Sequence, residues 1–421
     1  MARPLLLLLL TLAAGCAAAS GVRPATPSLA AQTAASQPSP ALAALRYGVE
    51  PELTFGPVEE RAMEVAAPLL RRPGDPAPSR SPALALAARE LAGLAAAGEV
   101  SPLARARVRS ALWSAAASDP APLAYLVSGP VGRIAEALPP LISGTSSASH
   151  LGAGLVERDG TAWLVLLASP RRAPLRPFPR AVELGATALL EGELVTGLAD
   201  PRLFVTEPDG SVRERPIAGT RRFAAELRFD QPGRWLVEVI GRSLHGPEVL
   251  ALLAVSAGAE PTPAASRVTE PDPADPAAAE ARVLAAMNST RGRHGLRPLA
   301  PDRALREVAR AQSAEMLRRG LLVHILPGSG DIGERLRRAK IPFRKALENL
   351  AKGQDALSAH EATEESPAHR DNLLADGPTL AGVGIARGTL PGGGPVVYLT
   401  EVIVEPPGVA GRNTLNGAEP R

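Results

Sequence analysis

The stretch Ser366-Pro367-Ala368-His369-Arg370-Asp371-Asn372-Leu373-Leu374 carries the most legible chemistry in this chain. Ser366 can accept a hydrogen bond from a free backbone N–H at a helix start, and Pro367 fits the first helical position, where its missing donor costs nothing. Proline also pushes the preceding residue out of the α region, which is where an N-cap belongs. A helix is therefore expected from Pro367, with His369 at its third position, inside the positive end of the dipole, where an imidazolium is disfavoured. A neutral ring there can bind a metal, accept a proton or hydrogen-bond a ligand; equally, a lone histidine can tie a loop to the fold. Upstream stands the pair Glu348-Asn349, within Leu347–Ala351. Downstream, Glu401 shares one side of an alternating strand with Leu399 and Ile403. A carboxylate on an apolar face needs a partner or a raised pKa, so Glu401 is expected to hydrogen-bond within a cleft or to reach its rim.

The elements that must position these groups are legible by period. Leu305, Val308, Ala309, Gln312 and Met316 form one stripe of an amphipathic helix with its apolar side to a core. Val396 to Val404 reads as the last strand.

Several motifs then occur in order: Leu284 to Leu299 (LAAMNSTRGRHGLRPL), Leu305 to His324, Arg335-Leu336 with Ala339-Lys340-Ile341, Glu348-Asn349, SPAHRDNLL, and Ala381-Gly382-Val383-Gly384 before the last strand. Together they resemble the CAP superfamily (cysteine-rich secretory, antigen-5 and pathogenesis-related proteins), in its bacterial branch without disulfides, over residues about 280–405. The resemblance implies an α+β domain, an α-β-α sandwich, at 278–406. It also implies a cleft in which two histidines and two glutamates face each other and can hold a divalent metal. The first histidine resembles His324 and the first glutamate Glu348; the second glutamate is Glu364 or Glu365, with Thr363 where the family has a tryptophan. The family's second histidine falls at Tyr398 here, so His369 of the bacterial motif is its candidate replacement, and Glu401 stands where a glutamine is usual. His324 and His369 are thus the candidate ligands of a zinc ion, with no cofactor required.

The remaining chain is long enough for further domains: 421 residues with 43 prolines and 39 glycines, and only 3% aromatic residues, so the cores must be built mainly from Ala, Leu and Val. The net charge is +3 and lysine occurs only at Lys340, Lys345 and Lys352, with no basic cluster interleaved with aromatics, so nucleic-acid binding is not expected. Arg3 and the apolar run Leu5 to Leu12 read as an export signal over residues 1–16, ending in Ala13-Ala14-Gly15-Cys16, which resembles a bacterial lipobox. Cys16 is the only cysteine, so no intramolecular disulfide can form, and it is expected to carry lipid. A tether at 17–45 is rich in Ala, Ser, Pro, Thr and Gln and reads as disordered. Residues 46–170 read as an alanine-rich helical segment with terminal strands. In it His150-Leu151-Gly152-Ala153-Gly154-Leu155 followed by Trp163 to Leu167 echoes Leu380 to Ile385 followed by Val396 to Leu399, as in a degenerate CAP-like half, with no counterpart of Glu-Asn or Ser-Pro-x-His. At 171–258 the period changes to two, with turn signals about every ten residues, the pattern of an immunoglobulin-like β-sandwich; a spacer role is expected of it. A Pro-rich linker at 259–277 and a disordered tail at 407–421 complete the multidomain layout.

Two functions fit this reading. The preferred one is a non-catalytic binding protein, exported to the cell envelope and held at the outer membrane or cell surface by its lipid, with a cleft for a small ligand, lipid or envelope component. The other is a metal-assisted, peptidase-like hydrolase using the His/Glu cleft. No Gly-x-Ser-x-Gly, Ser-x-x-Lys or nucleophilic cysteine supports covalent catalysis, and a fold of this kind fixes an activity poorly. Cys16→Ser should move the protein from the membrane pellet to the soluble fraction; unchanged membrane association would refute acylation.

Overall fold

Two prolines open helices of the first unit, Pro57 and Pro82, each in a first-turn position, and Pro276 does the same in the last unit. The computed structural model describes residues 45–142, 147–259, 272–390 and 394–407. The export signal with Cys16, the tether before Leu45, residues 260–271 of the linker and the tail beyond Pro407 lie outside the described residues.

The chain begins with a short strand, β1 (Arg46–Tyr47), and continues through α1 (Pro57–Ala66), β2 (Ser79–Arg80), α2 (Pro82–Ala96), α3 (Arg105–Ser114), β3 (Leu123–Gly129), β4 (His150–Arg158) and β5 (Thr161–Ser169). Where the alanine-rich pattern predicts a helical segment with terminal strands, the structure lays these helices on a four-stranded sheet of order β2-β4-β5-β3. Small residues make this possible. A Cβ on Gly152 or Gly154 would lie 2.3 Å from the Ala85 nitrogen or 2.1 Å from the Arg89 nitrogen, so α2 rests its backbone directly on β4.

The middle unit holds β6 (Phe178–Pro179), β7 (Ala181–Val182), β8 (Thr187–Glu193), β9 (Ala199–Thr206), β10 (Val212–Arg215), β11 (Arg222–Arg228), β12 (Gly233–Ser243) and β13 (Gly246–Ala257). A five-stranded sheet, β10-β9-β12-β13-β7, faces the β8-β11 pair. Between them lie Leu190, Phe223, Leu227 and Phe229 on one side and Val205, Trp235, Val237, Val239, Leu253 and Val255 on the other. Strand β1 pairs with β6, and the fully buried Tyr47 donates its hydroxyl to the Ala254 carbonyl at 2.9 Å. Residues 46 and 47 therefore belong to this core and not to the segment that follows them.

The last unit runs α4 (Pro276–Arg293), β14 (Ala300–Pro301), α5 (Arg303–Arg319), α6 (Ile332–Arg338), β15 (Lys345–Gly353), α7 (Ala356–Glu364), α8 (Pro367–Leu373), β16 (Leu380–Thr389) and β17 (Pro395–Glu405). Helix α4 begins two residues earlier than the expected domain boundary at 278. The sheet order is β14-β16-β17-β15, with helices on both faces. This repeats the first unit closely. In each, a two-residue strand pairs parallel to the glycine-bearing strand and the other pairings are antiparallel. Cβ atoms on Gly382 and Gly384 would meet the α5 backbone at 2.2 Å, as in the first unit. A bidentate ion pair joins the first helix to the second in both, Glu59 with Arg89 and Glu280 with Arg310. The helix caps correspond as well: Ser81 accepts from the Leu84 N–H, and Asp302 from that of Leu305.

The three units dock through specific contacts. Trp113 of α3 enters the middle unit's core and donates its indole N–H to the Leu252 carbonyl at 3.3 Å. Glu238, on the face of β12 turned away from that core, is fully buried against α8. The middle unit is thus a docked wall of the last unit, where a spacer was expected. Gly154→Ala and Gly384→Ala each force a methyl into a helix backbone, so each should cost about 1–3 kcal/mol, measured as a drop in urea midpoint at unchanged slope.

Candidate functional site

Consecutive residues of a strand point to opposite faces, and β15 uses this to serve two polar clusters. Glu348 faces α5 and α6. Its Oε1 lies 2.9 Å from His324 Nδ1, and its Oε2 accepts from Arg335 Nη2 at 2.6 Å. The Glu348 carboxylate is thus held between two donors, and His324 points its Nδ1 hydrogen at it. The His324 and His369 rings lie 6.5 Å apart between centroids, at 38°. The structure therefore brings His324, Glu348 and His369 together at the β15 edge of the sheet, and both histidines keep partial contact with solvent.

The other expected site residues lie elsewhere. Asn349, on the opposite face, donates to the His369 carbonyl at 3.0 Å and to Glu401 Oε2 at 3.1 Å, and accepts from Asn372 at 3.0 Å. Glu401 is fully buried and does not reach a rim; its Oε1 lies 2.6 Å from His360 Nδ1. Burial alone would depress the His360 pKa, but the Glu401 carboxylate outweighs it and raises it. Glu364 accepts from the Thr290 hydroxyl and lies 3.7 Å from His360 Nε2. Glu365 pairs with Arg109 Nη1 at 2.8 Å. None of these three glutamates shares the face on which Glu348 meets His324.

Helix α8 starts where expected, with Ser366 as N-cap and Pro367 next, but its cap is not the expected one. Ser366 accepts no backbone hydrogen bond; its hydroxyl donates to Glu238 Oε1 at 2.6 Å, and the Ala368 N–H donates to Glu238 Oε2 at 2.8 Å. A carboxylate from another unit supplies the acceptor. Burial pushes the Glu238 pKa up to about 7, against the pull of these two donors and of Arg109 and Arg105. Burial also lowers Arg105 to about 9, with Arg109 adding repulsion. His369 is pushed down to about 3, first by burial and then by the charges of His324, Arg105 and Arg109. Its neutrality, expected from the helix dipole, therefore has a different main cause. The turn between β12 and β13 completes the surroundings: the Ile325 N–H donates to the His245 carbonyl at 3.0 Å, and a Cβ on Gly246, at φ +97°, would stand 3.0 Å from that of His324.

A zinc ion does not fit this donor set. Glu348 has both oxygens engaged, one by a guanidinium, and among the described residues no group of three or more His, Cys, Asp or Glu side chains is placed to hold a metal. Sequence reasoning missed His360, Arg335, Arg105, Arg109 and Glu238 as site residues. Only His360 had a signal, because the buried Glu401 required a partner.

The two buried shifts oppose each other. His369, below its ordinary 6.5, stabilises the fold above about pH 6.5 and loses this as pH falls toward 3; Glu238, above its ordinary 4.5, stabilises it below about 4.5 and loses this as pH rises through 7. Relative to the wild type, Glu238→Gln should lose about 2 kcal/mol between pH 7 and 5, and His369→Asn should lose about 2 kcal/mol between pH 5 and 7. Urea unfolding at both pH values checks this; parallel profiles in all three proteins would contradict it.

Comparison with known proteins bears on this domain. Residues 284–400 match the family model of CAP, the cysteine-rich secretory protein family. The uncharacterized protein YkwD of Bacillus subtilis is 32% identical over 120 residues, 28% of this chain and 47% of that protein. The uncharacterized membrane protein YlbC of Bacillus subtilis is 33% identical over 109 residues, 26% of this chain and 32% of that protein. The chain thus spans less than half the length of these curated relatives. Among solved structures, an extracellular SCP-domain protein of Bacillus anthracis matches at 18% identity and TM-score 0.28, covering 52% of this chain and 77% of that one. A cysteine-rich secretory protein of Staphylococcus aureus matches at 12% and 0.27, covering 52% and 75%. Residues 284–400 are therefore a domain of the CAP family, in a chain whose single cysteine allows no disulfide within it.

Proposed function

We propose that this chain is an envelope-tethered binding protein whose His324–Glu348–His369 crevice holds a small ligand, lipid or envelope component without turning it over. The observation that carries this reading is the state of Glu348. One oxygen is committed to Arg335 and the other to His324, so the carboxylate orients the imidazole and is not free to act as a base. No serine or cysteine nucleophile stands in the cluster, and the carboxylates that a hydrolase would recruit lie on the other face of the sheet or against Arg109. A crevice lined by two imidazole rings and fixed donors suits recognition, where a few placed polar groups set orientation.

Export and anchoring rest on the N-terminal signal and on Cys16 as acyl acceptor. Among the described residues no helix is long and apolar enough to cross a membrane, and one curated relative is described as a membrane protein. In this reading the middle unit, with its two facing sheets, is an immunoglobulin-like domain that braces the crevice. The test is to purify the full chain from its native envelope, extract it and identify co-purifying small molecules by mass spectrometry. His324→Ala and His369→Ala should each lose the extracted species by about ten-fold or more, while Glu364→Gln, on the opposite side of the sheet, retains it. Extracts indistinguishable between the wild type and both histidine variants would overturn the proposal.

A further inference from the structure

Helix α3 brings two arginines from the first unit to the edge of the crevice. Arg109 is only 3% exposed. Its Nη1 contacts Glu365 at 2.8 Å, while Nε and Nη2 lack a hydrogen-bond acceptor. Nε of Arg105 is buried without an acceptor too, and so is Nη1 of Arg335, the residue that holds Glu348. Four buried guanidinium nitrogens on these three arginines are thus without an acceptor. Buried polar groups of this kind carry a cost of desolvation that a bound partner offsets. The groups that face them are few. Glu365 and Glu238 lie against Arg105 and Arg109, and Glu348 against Arg335. Both α3 arginines are close enough to His369 to act on its ring.

Guanidinium groups donate and never accept, so their missing partner is a group made of acceptors with negative charge. A water molecule accepts at most two hydrogen bonds and neutralises nothing. An oxyanion, with several oxygens in a compact arrangement, matches a fork of planar donors. We infer that the crevice between His324 and His369 takes an oxyanion, a phosphate or phosphodiester group, gripped by Arg105 and Arg109 of the first unit together with Arg335 of the CAP domain. The site is composite: the histidines and Glu348 come from one unit and the anion clamp largely from another. This assignment rests on the binding reading above and names the chemistry of its ligand. Phosphate of this kind has two sources, a free anion or the headgroup of a membrane lipid.

The test uses the full chain carrying Cys16→Ser, so that no acyl chain inserts on its own. Thermal melts are recorded with increasing inorganic phosphate, and with sodium chloride at equal ionic strength. A ligand that binds only the folded state raises Tm by an amount that grows with the logarithm of its concentration once this exceeds Kd. Phosphate should do so and chloride should not. Arg105→Gln and Arg109→Gln should each weaken phosphate binding about ten-fold, equal to about 1.4 kcal/mol. Arg105→Gln removes the less engaged of the pair, so it stands as the variant if loss of the Glu365 partner unfolds Arg109→Gln. Sedimentation with phosphatidylglycerol vesicles against phosphatidylcholine vesicles separates the sources: phosphate-competed pelleting with the former identifies a lipid headgroup, and phosphate binding without pelleting identifies a free anion. A phosphate effect matched by chloride, or one unchanged in the arginine variants, would overturn the assignment. A ligand still recovered by extraction in that event would leave the binding function standing and remove only its oxyanion chemistry.

Discussion

One buried carboxylate holds the arrangement together. Glu238 belongs to a strand of the middle unit, yet both its oxygens are spent on the start of the His369 helix, through the Ser366 hydroxyl and the Ala368 N–H. A charge taken fully out of water is tolerated only where donors and opposite charges surround it. Here they come from both sides, the helix start and the two arginines of α3. Three units therefore converge on one side chain, and the position of His369 is set by a residue more than a hundred positions away in sequence. Remove the middle unit, and the helix that carries the SPAHRDNLL motif loses the acceptor that its own serine does not provide.

The fold of the last unit was largely legible because its signals are local. The stripe Leu305, Ala309, Gln312 and Met316 is buried on α5 as its spacing requires, and Leu399, Glu401 and Ile403 share a buried face of β17. The site was legible in part. His324, Glu348 and His369 meet, but the four-residue tetrad does not form, because Glu364, Glu365 and Glu401 each answer to another partner: Thr290 and His360, Arg109, and His360 with Asn349. Such pairings depend on which surfaces dock, and no periodicity encodes them. Glu238 shows why. In sequence it is a polar residue alternating with Trp235, Val237 and Val239, the signature of a solvent-facing position; the structure covers that outer face with α8.

The first unit repeats the last in sheet order, strand direction, the two glycines under the second helix, and the Glu–Arg pair that clamps the first helix to the second. What it does not repeat is the chemistry. Among the described residues no histidine–glutamate pair stands at the edge of its sheet, and its contribution to the crevice comes through α3, the helix before its edge strand. The same architecture thus serves once as a site and once as the wall that supplies its cations, which is consistent with fold and function being separable.

The strand at Arg46–Tyr47 pairs with β6, beyond the whole first unit, and Tyr47 is anchored in the middle unit's core through its bond to Ala254. The first unit is therefore an excursion between two neighbouring strands of the same small sheet. Any pull applied to the chain ahead of Leu45 enters the protein at that strand. It meets the middle unit through the β1–β6 pairing and the Tyr47 hydroxyl, and Glu238 joins that unit to the CAP domain. A molecule held at its N-terminal end would carry tension into the unit whose carboxylate positions His369.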